Sequence, residues 1–203
     1  MKRHVSWFAL ALAIAATTAG AQATQVENSS FVAPDGTRTL QQSIVLPATL
    51  ADTWAAFTTS EGFITWAAPV AQVDFRLGGI MESSFQLDGS IGAAANIKNE
   101  VVAFVPQRML AFRNRQAPPD APFDAPTFQS LHTVAFFEVV GERATRVTLT
   151  QPGYKSGALY DGVYKHFEEG NAWSLGALKF RFEKGPLNWK RMAEAQAASK
   201  KSK

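Results

Sequence analysis

Hydrophobic and polar positions divide this chain into a strand, two short helices, a run of strands and one long helix. Residues 39–46 alternate toward Ile44 and Leu46 and stop at Pro47, which predicts a first strand. In 49–58, Leu50, Trp54 and Phe57 fall at helical spacing, and 60–66 predict a second short helical turn. Strand-like runs follow at 70–77, 80–87, 97–105 and 109–113, with Gly78-Gly79, Asp88-Gly89 and Pro106 at the junctions. Glycine supplies positive φ and proline cannot donate to a ladder, so these positions mark turns. Residues 132–140 and 143–151, joined around Gly141-Glu142, predict a hairpin. Strands that succeed one another through short turns predict an antiparallel sheet in an α+β fold.

Residues 156–184 predict the long helix. A polar stripe of Asp161, Lys165, Glu168, Glu169, Lys179 and Glu183 runs opposite a face carrying Tyr160, Val163, Tyr164, Phe167, Leu178 and Phe182. Trp173 and Phe180 lie at the margin of that apolar face. Gly170, Asn171 and Ser174 interrupt it halfway along, where a plain core would carry large side chains. Two arrangements fit: close packing against a bulky aromatic of the sheet, or an interior space beneath the helix. A second unusual segment, 116–131, holds four of the chain's ten prolines without periodicity. A connection of that length reads either as a rim over a binding site or as a surface excursion.

The ends alter the picture given by composition. Lys2 and Arg3, an apolar run over 5–16 and the small-residue sites Ala19-Gly20-Ala21 and Ala21-Gln22-Ala23 form the three-part layout of a secretory signal peptide. Segment 1–23 is therefore expected to be removed, leaving a secreted or periplasmic chain that begins near Gln22 or Thr24. The full chain carries 20 basic and 17 acidic residues for a net charge of +3, and a sequence pI near 9.3. Without Lys2 and Arg3 the count is 18 against 17, and 24–189 alone hold 13 basic and 16 acidic residues. The body is mildly acidic, so no basic face is available to displace phosphate counterions, and a nucleic-acid partner is not expected. The polar stretch 24–38 is expected to be a leader, and 186–203 a basic, solvated and frayed tail.

Five segments of this chain resemble a known family. Trp54-Ala55-Ala56-Phe57-Thr58, Gly62 and Trp66-Ala67-Ala68-Pro69 are spaced as in its first motif. Phe75-Arg76-Leu77-Gly78-Gly79 and the run from Asn99 through Pro106 to Leu110 resemble the next two, and Ala144 to Thr150 the fourth. Phe167-Glu168-Glu169-Gly170 and Trp173 resemble the last, although Asn171 and Ala172 separate Gly170 from Trp173 where the family sets the tryptophan directly after glycine. The chain thus resembles, over about 39–183, the START-like or SRPBCC helix-grip superfamily, in the branch named for the activator of heat-shock ATPase. The resemblance implies a curved antiparallel sheet wrapped around a long C-terminal helix, over residues 39–185, with an apolar cavity between the two. It does not imply a reaction, since relatives include lipid carriers, cyclases and co-chaperones.

Candidate chemistry is sparse. With no cysteine and three histidines, thiol catalysis and thiolate metal sites are excluded, and no motif for a metal, a cofactor, a P-loop or a nucleophile elbow is present. No catalytic residue is assigned, and no cofactor or metal is expected. Trp66, Phe75, Phe85, Phe104, Phe112 and Phe137 on the strands and short helices are core residues by default and candidates to line a cavity. From the long helix come Phe167, Gly170, Trp173 and Ser174. His132 is a further cavity candidate, and the imidazoles of His132 and His166 suit a boundary position or acid/base work at a cavity mouth. Glu82, Glu100 and Arg113 lie on strands whose inward face alternation alone does not fix. Three functions follow: an exported carrier of a small hydrophobic or amphipathic molecule, a cyclase- or hydrolase-type enzyme at the same cavity, and a co-chaperone-like module. Export disfavours the last, whose ATPase partner is cytosolic. The carrier reading is the first expectation, with a small apolar molecule or lipid as partner and no transmembrane segment in the mature chain.

Overall fold

A computed structural model describes residues 26–119 and 121–201; the expected signal segment lies outside the described residues. In chain order the elements are β1 (Glu27–Asn28), β2 (Phe31–Val32), β3 (Arg38–Leu46), α1 (Leu50–Thr58), α2 (Ser60–Phe63), β4 (Val70–Val73), β5 (Ile80–Ser84), β6 (Ile97–Val105) and β7 (Met109–Gln116). They continue with α3 (Ala125–Gln129), β8 (His132–Gly141), β9 (Ala144–Tyr154), α4 (Ala158–Lys184) and α5 (Trp189–Lys201).

The helices begin where the chain supplies caps. Thr49 accepts from the backbone N–H of Asp52 at 3.1 Å to start α1, and Thr59 accepts from that of Gly62 at 2.9 Å to start α2. Gly157 and Gly185, both at positive φ, bracket α4. The turn between β4 and β5 requires its glycines. Gly78 has φ of 74°, and a Cβ on Gly79 would collide with the carbonyl oxygen of Asp74. This turn takes up residues 74–79, so β4 ends at Val73 and not at Leu77.

All strand pairs are antiparallel, in the order β1-β3-β9-β8-β7-β6-β5-β4, with β2 also on β3. The long helix α4 lies across the concave face of this curved sheet, which is the helix-grip arrangement. Two clusters of buried side chains join the layers. The larger gathers Leu46, Phe57, Trp66, Val101, Leu110 and Phe137 around Leu175 and Leu178 of the second half of α4. The smaller gathers Leu40, Leu131 and Tyr154 around Val163 of the first half, with Phe167 against it. Trp66 is fixed within the first by donating Nε1–H to the carbonyl of Ala56 at 2.9 Å.

Three segments are more ordered than their polarity implies. The leader contributes β1 and β2, which cover the outer edge of β3; Asn28 donates its amide to Glu168 Oε1 on α4 at 2.8 Å. The proline-rich connection contains α3, capped by Asp124, which accepts from the Thr127 backbone N–H at 2.7 Å. That contact holds the Asp124 carboxyl below its usual range. Residues 189–201, expected to fray, are helical. Trp189 donates Nε1–H to the carbonyl of Ile64 at 2.7 Å, and the backbone N–H of Leu187 donates to that of Thr65 at 2.9 Å. These two bonds dock the start of the helix against α2, and Gln196 farther along is buried. Among the described residues no helix is long and apolar enough to cross a membrane.

Candidate functional site

Between the two core clusters, beneath the middle of α4, the layers do not meet. The space is a cleft of about 270 Å³. Gly170, Asn171 and Ser174 form its roof, and a Cβ built on Gly170 would meet no atom within 4 Å.

Strand pairing fixes which side chains form the floor. Asn99 of β6 is the register partner of Asn114 on β7 and of Met81 on β5, and all three line the cleft. Phe112 sits opposite Thr133 of β8, and both also line it. Period-two alternation then places Lys98, Glu100, Arg113 and His132 on the convex face. There Glu100 is paired with Arg113 and Arg115, each at 3.1 Å. Glu82 is used structurally: its Oε1 accepts from the backbone N–H of Gly92 and from Asn96 Nδ2, both at 2.6 Å. That clamp holds the β5–β6 connection, whose Phe85, Gln86 and Leu87 form one rim.

Of the side chains named from sequence, Trp66, Phe85, Phe112, Phe167, Gly170, Trp173 and Ser174 line the cleft. Four do not. Phe75 and Phe137 pack edge-on against Trp54 at centroid distances of 5.6 and 5.2 Å, and Phe104 lies 4.7 Å from Phe75, inside the larger core. His132, the first residue of β8, is exposed on the opposite face, which removes it as an acid/base group for this cleft.

The structure adds residues the sequence reading passed over. Gln151 is 1% exposed and donates Nε2–H to Thr133 Oγ1 at 2.7 Å. Its Oε1 accepts from Tyr154 OH at 3.0 Å and from Asn171 Nδ2 at 3.1 Å. Asn114 donates Nδ2–H to the carbonyl of Phe128 on α3 at 3.1 Å, and Asn99 Oδ1 is buried with no hydrogen-bond partner. Uncharged amides and hydroxyls thus form a belt across otherwise apolar walls. The signal for them was present in the alternation, since Asn99 lies two residues before the core residue Val101 and Asn114 two after Phe112. Trp189 and Met192 line one end, at the helical spacing i, i+3, in a segment whose lysines predict a solvated tail.

Among the described lining residues, the ionisable ones are His166 and Glu169. His166 packs edge-on to Phe123 and Phe167 at 5.2 and 5.6 Å. Burial lowers its pKa from the ordinary 6.5 to about 4, so the imidazole is neutral near pH 7. No Lys or Arg is among the described lining residues, and no group of three His, Asp or Glu among the described residues could hold a metal ion.

Comparison with known proteins places this architecture. A search of curated proteins found no match. Among solved structures, the Aha1 dimer from Colwellia psychrerythraea is 18% identical with a TM-score of 0.55, covering 72% of this chain and 97% of that one. CalU16 from Micromonospora echinospora is 17% identical with a TM-score of 0.54, covering 85% and 96%. A protein from Mesorhizobium loti is 16% identical with a TM-score of 0.56, covering 74% and 100%. At these identities the likeness is one of fold. The sequence profile described as "Activator of Hsp90 ATPase homolog 1-like protein" matches residues 47–183, more than half of the chain, and the protein belongs to that family.

Proposed function

We propose that this chain is an exported, non-catalytic binding protein that holds one small hydrophobic or amphipathic molecule in the cleft between the sheet and α4. The observation that carries the reading is the cleft itself. Its walls are aromatic and aliphatic, its polar groups are few and convergent, and its volume lies near the lower end of small-molecule sites. Small residues in the middle of α4 keep the space open at a cost in packing that a simple core would not bear. Export rests on the layout of residues 1–23.

The test is native mass spectrometry of protein recovered from the envelope fraction of cells expressing residues 1–203. The reading expects an N-terminus near Gln22 or Thr24 and an apolar adduct released on denaturation. A bare mass, together with failure to bind any apolar probe, sinks the binding reading; an intact Met1 in the cytosol sinks export. One observation favours a second reading, acid/base catalysis in the same cleft: His166 lines it as a neutral imidazole, with Glu169 also in the lining. Turnover of a bound molecule that is lost in His166→Gln would establish that alternative. The activation of an ATPase that the family name describes is the weaker reading for an exported chain.

A further inference from the structure

The polar belt goes further than a generic apolar site, because it carries a buried acceptor without a partner, Asn99 Oδ1. Asn114, Gln151 and Asn171 each direct one amide N–H to the Phe128 carbonyl, Thr133 Oγ1 and Gln151 Oε1, respectively. The Asn114 orientation is dictated by chemistry, since a backbone carbonyl only accepts. Gln151 Oε1 already takes two donors. The side-chain oxygens of Asn114 and Asn171 receive no donor from the described residues, and neither does Asn99 Oδ1. Three cleft-lining asparagines therefore each present a side-chain oxygen that takes no donor from the described residues, and that of Asn99 is fully buried. A buried acceptor without a partner costs on the order of 1–3 kcal/mol, which a ligand donor recovers.

Charge narrows the class in the same direction. A carboxylate or phosphate entering the cleft would lose its hydration among carbonyl oxygens, with no Lys or Arg in the described lining and Glu169 present. Lys98, Arg113 and Arg115 are engaged on the far side of the sheet by Glu82 and Glu100. The buried imidazole of His166 supplies no positive charge near neutral pH.

Resting on the binding reading above, we infer that the cleft selects an uncharged, hydrogen-bond-donating ligand, an apolar body bearing a hydroxyl or N–H group, and rejects acidic lipids. The discriminating experiment titrates the folded, mature protein at pH 7.5 with three probes sharing one apolar body: 2-naphthol, 2-methoxynaphthalene and 2-naphthoate. Quenching of Trp66, Trp173 and Trp189, all in the lining, reports binding. The expected order is naphthol tightest, the ether about tenfold weaker for want of a donor, and the carboxylate weaker still.

In Asn171→Leu the advantage of naphthol over the ether falls by about threefold or more. Asn114→Leu gives the same result by a second route. If the ether equals the naphthol, or the carboxylate binds best, the donor inference is overturned while the cleft remains a binding site. If none of the three binds, both fall. The wild-type series decides the matter even where a variant does not fold.

Discussion

The sharpest consequence of an open space beneath α4 concerns Gly170. In an ordinary covered helix a central glycine facing the sheet is there because nothing larger fits, and replacing it overpacks the core at a cost of about 1–3 kcal/mol. Here a Cβ at position 170 meets no atom within 4 Å. The helix-forming penalty of glycine, roughly 0.5–1 kcal/mol relative to alanine, then stands without a steric offset. Gly170→Ala is therefore expected to stabilise the protein by about that amount, a rise in Tm of roughly 1–4 °C for a chain of this size. Gly162, exposed on the same helix and equally free of neighbours around its Cβ, is the control, and Gly162→Ala should gain a similar amount. Gly170→Phe separates helix propensity from space: its ring enters the cleft, so the protein stays folded while affinity for 2-naphthol falls at least tenfold. Denaturant melts and probe titrations of the three variants decide it. Loss of more than about 1 kcal/mol in Gly170→Ala relative to Gly162→Ala, or unchanged binding in Gly170→Phe, would refute an open cleft at this position.

Two further outcomes follow from single groups. Glu82 holds the β5–β6 connection through Gly92 and Asn96, so Glu82→Ala should cost about 1–3 kcal/mol and raise hydrogen exchange across 85–96. Glu82→Gln keeps an acceptor at Oε1 and should recover part of both; equal losses in the two variants would argue against the clamp. His166 has a folded pKa of about 4 against an ordinary 6.5, caused by burial. Between those values the unfolded chain binds a proton that the folded chain resists, so this group's contribution to stability is intact above pH 6.5 and declines as pH falls toward 4. The loss is on the order of 2 kcal/mol after allowing for partial exposure. His166→Gln should flatten the stability profile over that interval, and a profile unchanged by the substitution would mean the imidazole is not buried as a neutral group.

Much of this architecture is legible in the residues because it depends on local rules. Alternation marks β6 and β8, threonine caps mark α1 and α2, and Gly78-Gly79 marks the turn into β5. Gly170, Asn171 and Ser174 mark the cleft roof because a gap in an apolar stripe is visible without any partner. The floor is harder to read. Which of Glu82, Asn99, Glu100, Arg113 and Asn114 face inward depends on where Val101 and Phe112 anchor the alternation, and a register error of one residue exchanges the charged set for the amides. The charged set draws attention for its chemistry, whereas the amides are the ones inside. Phe75, Phe104 and Phe137 carry no mark distinguishing core from lining, since that depends on Trp54 reaching across from α1. The C-terminal segment is obscured by its lysines, although Trp189 and Met192 already share a helical face.

The division of the interior into two cores explains how the cleft is compatible with a stable fold. At 1.5 Å per residue the 27 residues of α4 span about 40 Å. That length is anchored twice, by Val163 and Phe167 against Leu40, Leu131 and Tyr154, and by Leu175 and Leu178 against Val101, Leu110 and Val147. The stretch between those anchors is held in place from both ends and does not itself need to fill the space below it. Gln151 ties Thr133, Tyr154 and Asn171 into one hydrogen-bonded set, which fixes the shape of that part of the belt. The roof positions 170, 171 and 174 are thereby separated along the helix from its anchors at Val163, Leu175 and Leu178. Substitution at 170, 171 or 174 can retune the cleft at small cost to folding, whereas the same change at Leu175 would break an anchor.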